Sequence, residues 1–114
     1  MLVRTILVWK PTARLDEFEH RLADFTGVAH AVCVVNGTAA LQIALEVAGV
    51  RRDDEVIAPS LTFVATANSI SFCGAVPHFV DVSVNTLGMC PDALATHLSH
   101  VCETKHGQCY NKFT

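Results

Sequence analysis

Basic charge is scarce in this chain. Lysine and arginine number 8 against 11 acidic residues, the formal net charge is −3, and only Arg51 and Arg52 are adjacent. No basic stripe can be drawn, so a nucleic-acid surface is not expected. Long apolar runs are missing too. Asn, Gln, Thr, Ser or Glu breaks each one well before the ~20 residues that a membrane span needs. The opening MLVRTILVWKP lacks a proper hydrophobic region and a small-residue cleavage site. No export signal is read there, and the expected compartment is the cytoplasm.

Paired cysteines are also absent. The five cysteines, Cys33, Cys73, Cys90, Cys102 and Cys109, are odd in number and irregular in spacing. That argues against a secreted disulfide framework. Cys33 and Cys73 lie in apolar runs and read as buried small hydrophobes. Cys90, His97, His100, Cys102, His106 and Cys109 gather near the end. They lack the C-x-x-C and H-x-x-x-H spacings that zinc favours, so a metal site is a minor reading. Neither G-x-G-x-x-G nor G-x-x-x-x-G-K-[ST] occurs. A nicotinamide module is therefore disfavoured, although Asp54 or Glu55 follows a strand, a glycine turn and a helix.

Apolar side chains are plentiful, at 51% of 114 residues with only 17% charged. A piece of a larger core has this excess, because it keeps faces meant to be covered. Leu15, Phe18, Leu22 and Phe25 mark one face of a helix that Gly27 stops. Ala31–Val35 is an unbroken β-branched run, as in a strand buried on both faces. Thr38–Val47 reads as a buried helix ending at Gly49. Glu55–Ala58 is a strand stopped by Pro59, Thr62–Cys73 a helix stopped by Gly74, and Val76–Val82 a third strand. Residues 85–88 form a turn. Pro91 opens a last helix with Leu94, Leu98 and Val101 on its inner face. Beyond Val101 the sequence is polar and without pattern. Alternating strands and helices predict an α/β fold of three layers with a mostly parallel sheet.

In such sheets ligands gather at the carboxyl ends of the strands, where helix N-termini point free N–H groups at anions. The first strand-to-helix turn, Val35-Asn36-Gly37-Thr38-Ala39-Ala40, has the makings of a phosphate cradle. Gly37 permits close approach, Thr38 adds a hydroxyl, and Ala39 offers an unhindered N–H. The same residues also suit a plain Asn-Gly turn with Thr38 as a cap. Phe63, at the second turn, could stack on a flat ring or simply pack into the core.

These segments carry a resemblance. Asp16–Glu19, Phe25-Thr26-Gly27, His30–Val32, Asn36–Leu41, Asp54–Ile57, Pro59–Asn68, Gly74–Pro77 and Phe79–Val82 occur in this order. Together they resemble the N-terminal stretch of the DegT/DnrJ/StrS family of sugar aminotransferases, from about Leu15 to Leu98. The resemblance implies part of the large domain of a fold-type-I pyridoxal-phosphate enzyme. It implies transfer of an amino group, usually from glutamate, to the keto carbon of a nucleotide-linked sugar by a homodimer. By position, Gly37, Thr38 and Ala39 would bind the cofactor phosphate and Phe63 would stack on its ring. Asn68 would have a supporting role at most.

The resemblance also implies a Schiff-base lysine and an acid for the pyridinium nitrogen, both downstream of residue 114. Lys10, Lys105 and Lys112 lie in no suitable context, and Asp81 matches a structural position. Residues 1–114 are thus expected to be one partial domain, with an atypical lead-in over 1–14 and an irregular tail over 102–114. Asp53 stands where the family usually has glycine, and Cys90 where it commonly has an acid. The chain alone is expected to lack activity, and either to be inert or to associate with a partner subunit.

Overall fold

Helices end where the sequence places glycine. In the computed structural model, which describes residues 13–114, α1 (Ala13–Thr26) is followed by Gly27 with φ 73°. Helix α2 (Gly37–Val47) is followed by Ala48 and by Gly49 with φ 94°. Helix α3 (Val64–Phe72) is followed by Cys73 and by Gly74 with φ 75°. A left-handed residue just past a helix satisfies its last carbonyls, and glycine adopts that conformation without a Cβ clash. Lys10 and most of the lead-in lie outside the described residues.

Residues 13–35 form one compact unit and residues 36–114 another. In the first, the apolar stripe of α1 is present but uncovered. Only Ala23 is buried, while Leu15, Phe18, Leu22 and Phe25 are exposed. Glu19 Oε1 accepts the Cys33 N–H at 2.6 Å. The run Ala31–Val35, predicted as a strand, has no regular structure. A strand needs a paired neighbour to satisfy its backbone groups, and this run pairs with none among the described residues.

The second unit is built on two parallel strands, β1 (Glu55–Pro59) and β2 (Val76–Val80). Their register sets Ile57 opposite His78 and Ala58 opposite Phe79. Strand side chains alternate between faces. Ala58 meets Ile70 of α3 and Ala75 in the core, with Leu45, Val50, Val56 and Cys73 packed around them. On the other face His78 meets His97 of α4 (Pro91–Val101). Helices thus flank the sheet on both sides, in the three-layer α/β order that the sequence implies. Leu94, Leu98 and Val101 are half-buried.

Three further readings need correction. No residue of α2 is buried, although its sequence reads as a buried helix. Its apolar circumference is covered on the α3 side only in part. Cys33 and Cys73 are half-buried rather than buried. The segment after Val101 is a hairpin, β3 (Cys102–Lys105) paired antiparallel with β4 (Gln108–Asn111). His106 and Gly107 both have positive φ, 53° and 78°. That is the type I′ geometry whose twist matches a two-residue hairpin.

Asp53 has φ 68° and donates its N–H to Gly74 O at 3.0 Å. The turn into β1 requires a left-handed residue, and aspartate is among the few side chains that tolerate one.

Candidate functional site

The head of α2 follows from its cap. Asn36 is extended, with φ −164° and ψ 173°, and its Oδ1 accepts the Ala39 N–H at 2.9 Å. Asn36, not Thr38, is therefore the N-cap. Its carbonyl accepts the Ala40 N–H at 3.1 Å. The N–H groups of Gly37 and Thr38 donate to no acceptor among the described residues. A Cβ built on Gly37 would meet nothing within 4 Å. The helix head is open, with two free donors and a third held by a neutral amide oxygen.

A buried hydroxyl fixes this head against α3. Ser69, fully buried, lies with Oγ 3.1 Å from Thr38 O and 2.8 Å from Ala65 O. Ala65 is in the first turn of α3, two residues after Phe63. Phe63 itself is the N-cap residue of α3 and is 81% exposed. Its ring is not core packing within this chain. Thr62 Oγ1 and Thr66 Oγ1, 2.9 Å apart, tie the turn around Phe63. Asn68 is exposed on α3. Thr38 at the head of α2 and Ala65 in the first turn of α3 are thus held by one serine. Nothing in local periodicity marks Ser69 for this role, because the pairing depends on how α2 and α3 pack.

Lys105, Lys112 and Asp81 are each engaged by other groups among the described residues. Lys112 Nζ donates to Ser99 O and His100 O, and Lys105 pairs with Glu103. Asp81 Oδ1 accepts the N–H of Val82, and its carbonyl accepts that of Cys90.

The unit also holds a recess at the opposite end of the strands. It is a cleft of about 600 Å³ lined by Glu55, His78, His97, Cys102, Tyr110 and Asn111 among others. Glu55 begins β1 and is a hub. It accepts from Asn111 Nδ2 at 2.9 Å and from Thr114 Oγ1 at 3.1 Å, and its Oε2 lies 2.9 Å from His78 Nδ1. The Asn111 bond, followed by those of His78 and Thr114, holds its carboxyl below the ordinary glutamate range against the opposing effect of burial. The rings of His78 and His97 meet edge to face at 4.5 Å, and His97 Nε2 is buried without a hydrogen-bond partner. Among the described residues no three His, Cys, Asp or Glu side chains are placed to hold a metal. No described helix is long and apolar enough to cross a membrane. The cleft lies at the amino ends of the strands. The helix dipoles and free N–H groups that attract an anion are at the other end.

The sequence profile of the DegT/DnrJ/EryC1/StrS aminotransferase family matches residues 8–102. A GDP-perosamine synthase of Caulobacter vibrioides is 49% identical over 73 residues, 64% of this chain and 20% of that protein. A UDP-2-acetamido-2-deoxy-3-oxo-D-glucuronate aminotransferase of Pseudomonas aeruginosa is 44% identical over 80 residues, 70% of this chain and 22% of that protein. Among solved structures, NtdA of Bacillus subtilis with bound cofactor PMP superposes with a TM-score of 0.72 at 31% identity. That match covers 76% of this chain and 20% of NtdA. The chain spans about a fifth of the length of the curated relatives it matches.

Proposed function

Because this chain belongs to the DegT/DnrJ/EryC1/StrS aminotransferase family, whose members are pyridoxal-phosphate enzymes, we propose that it carries the phosphate and ring contacts of that cofactor's site. The α2 head would hold the phosphate through the N–H groups of Gly37 and Thr38 and the Thr38 hydroxyl. Ala39 would add its N–H once the phosphate displaces Asn36 Oδ1. Phe63 would lie against the ring. The observation that supports this reading is the Ser69 link. It holds an open, donor-rich helix head beside the turn that bears an exposed aromatic.

When bound, pyridoxal phosphate supplies an electron sink that stabilises negative charge next to the amine. The residues of this chain would bind and orient. Two free amides and the α2 dipole favour a dianionic ester. Ser69 keeps Thr38 from shifting relative to α3. The cofactor-anchoring lysine and the acid facing the ring nitrogen would come from sequence beyond the fifth of the relatives matched here. The reaction proposed for the whole protein is transfer of an amino group from glutamate to a nucleotide-linked keto-sugar, in polysaccharide or antibiotic-sugar synthesis. Residues 1–114 would be one part of the large domain of a homodimer.

A second reading is favoured by the surface. Leu41, Ile43 and Val47 of α2 are exposed, as are Phe72 and Phe79. Residues 1–114 on their own would then be a non-catalytic piece that associates with a partner presenting the rest of the fold.

Equilibrium dialysis with pyridoxal phosphate tests the site. Phe63→Ala is expected to weaken retention about three- to tenfold, the value of one aromatic stack. Borohydride is expected to leave no adduct on Lys105 or Lys112. Equal retention by wild type and Phe63→Ala, or a reduced adduct on either lysine, would remove the proposal.

A further inference from the structure

The C-terminal hairpin carries two thiols on one face. Its register sets Cys102 opposite Asn111 and Cys109 opposite Thr104. Residues two apart on a strand share a face, so Cys102 and Cys109 are diagonal neighbours. Two-stranded ribbons are the most strongly twisted, which shortens one diagonal. Both cysteines are free, Cys102 half-buried and Cys109 exposed. We propose that Cys102 and Cys109 are a redox-active dithiol that closes to an intrachain disulfide and fixes the hairpin beside Glu55.

The other cysteines make weaker partners. Cys73 lies on α3, with its sulfur 3.8 Å from Gln42 O, and Cys90 stands at the head of α4. Neither faces the hairpin pair across a strand. The pair also has something to fix. Asn111 and Thr114, just past Cys109, both donate to the Glu55 carboxylate. Lys112 ties the same segment to the carbonyls of Ser99 and His100.

The step needs an oxidant, and glutathione disulfide suffices. The exposed Cys109 loses its proton to water and its thiolate attacks one sulfur of the oxidant. A mixed disulfide forms and one glutathione thiolate leaves. Cys102, deprotonated in turn, attacks the Cys109 sulfur and expels the second glutathione. Two protein thiols are oxidised by two electrons, and one glutathione disulfide is reduced to two thiols. Cys109 beside it raises the Cys102 thiol first, aided by partial burial and by repulsion from Cys109 and Glu55, while Lys112 opposes them. The second step needs the Cys102 thiolate, so it should quicken as pH rises.

The full chain is equilibrated with graded mixtures of reduced and oxidised glutathione, native and in urea, then alkylated and mapped by mass. A native Cys102–Cys109 link should form, with an effective concentration at least about tenfold above that of the unfolded chain. Cys102→Ser should instead hold glutathione on Cys109. The proposal is overturned if the native chain carries only glutathione adducts, if Cys102 or Cys109 pairs with Cys33, Cys73 or Cys90, or if native and unfolded chains close equally. This test does not depend on the cofactor reading.

Discussion

At the residue scale the central feature is a competition for one N–H. Asn36 caps α2 by taking the Ala39 amide, the same donor that a phosphate at this helix head would use. The exchange replaces a neutral oxygen by an anion, and hydrogen bonds to charged acceptors are roughly twice as strong. The sequence marks Asn36, Gly37 and Thr38 as special but does not show which one caps. That choice depends on the extended backbone of Asn36, which aims its short side chain at the third amide of the helix. Phe63 was equally ambiguous, since an aromatic at a helix start packs inward in most folds. Its exposure depends on what surrounds it.

Glu55 yields a prediction at this same scale. Asn111, His78 and Thr114 hold its carboxyl below the ordinary glutamate value. A depressed carboxylate binds fewer protons folded than unfolded. Its stabilisation is therefore complete above the ordinary glutamate value and disappears as pH falls through the lowered one. Amide exchange in β4 should accelerate over that acid window in the wild type, and Glu55→Gln should flatten the response. An identical acid profile in Glu55→Gln would show that another group controls the hairpin.

At the element scale, local signals were legible and pairing was not. Glycine stops ended three helices because a left-handed residue past a helix is a local demand. The run Ala31–Val35 has the right composition for a strand, yet composition supplies no partner. The hairpin over 102–111 is hard to read in the sequence for the converse reason. Its strands are polar and short, and His106-Gly107 is a weaker turn signature than Asn-Gly. Ser69 was unreadable because its partner lies 31 residues away.

Helix α4 offers a test of element logic. Its N-cap, Cys90, makes no side-chain cap bond. Cys90→Asp should stabilise the chain by about 0.5–2 kcal/mol, measured as a higher urea midpoint at unchanged slope. No gain would mean that the Asp92 and Ala93 amides at the head of α4 already have partners.

At the scale of the whole molecule, the core is too small for the apolar content. The buried cluster of the second unit is Ala58, Ile70 and Ala75, while Phe63, Phe72 and Phe79 are exposed there. In the first unit Phe18 and Phe25 are exposed. Uncovered apolar surface of this extent favours association. Light scattering on the isolated chain should report oligomers that grow with concentration. A monomer with a sharp thermal transition would contradict that picture of an incompletely covered domain.

The most direct measurement is an amide-resolved NMR titration of the chain with pyridoxal phosphate. The Gly37, Thr38 and Ala39 amides should shift together, with the Phe63 ring protons moving alongside them. Shifts confined to Glu55, His78 and His97, or no shift at the head of α2 when the cofactor binds, would contradict a phosphate site there.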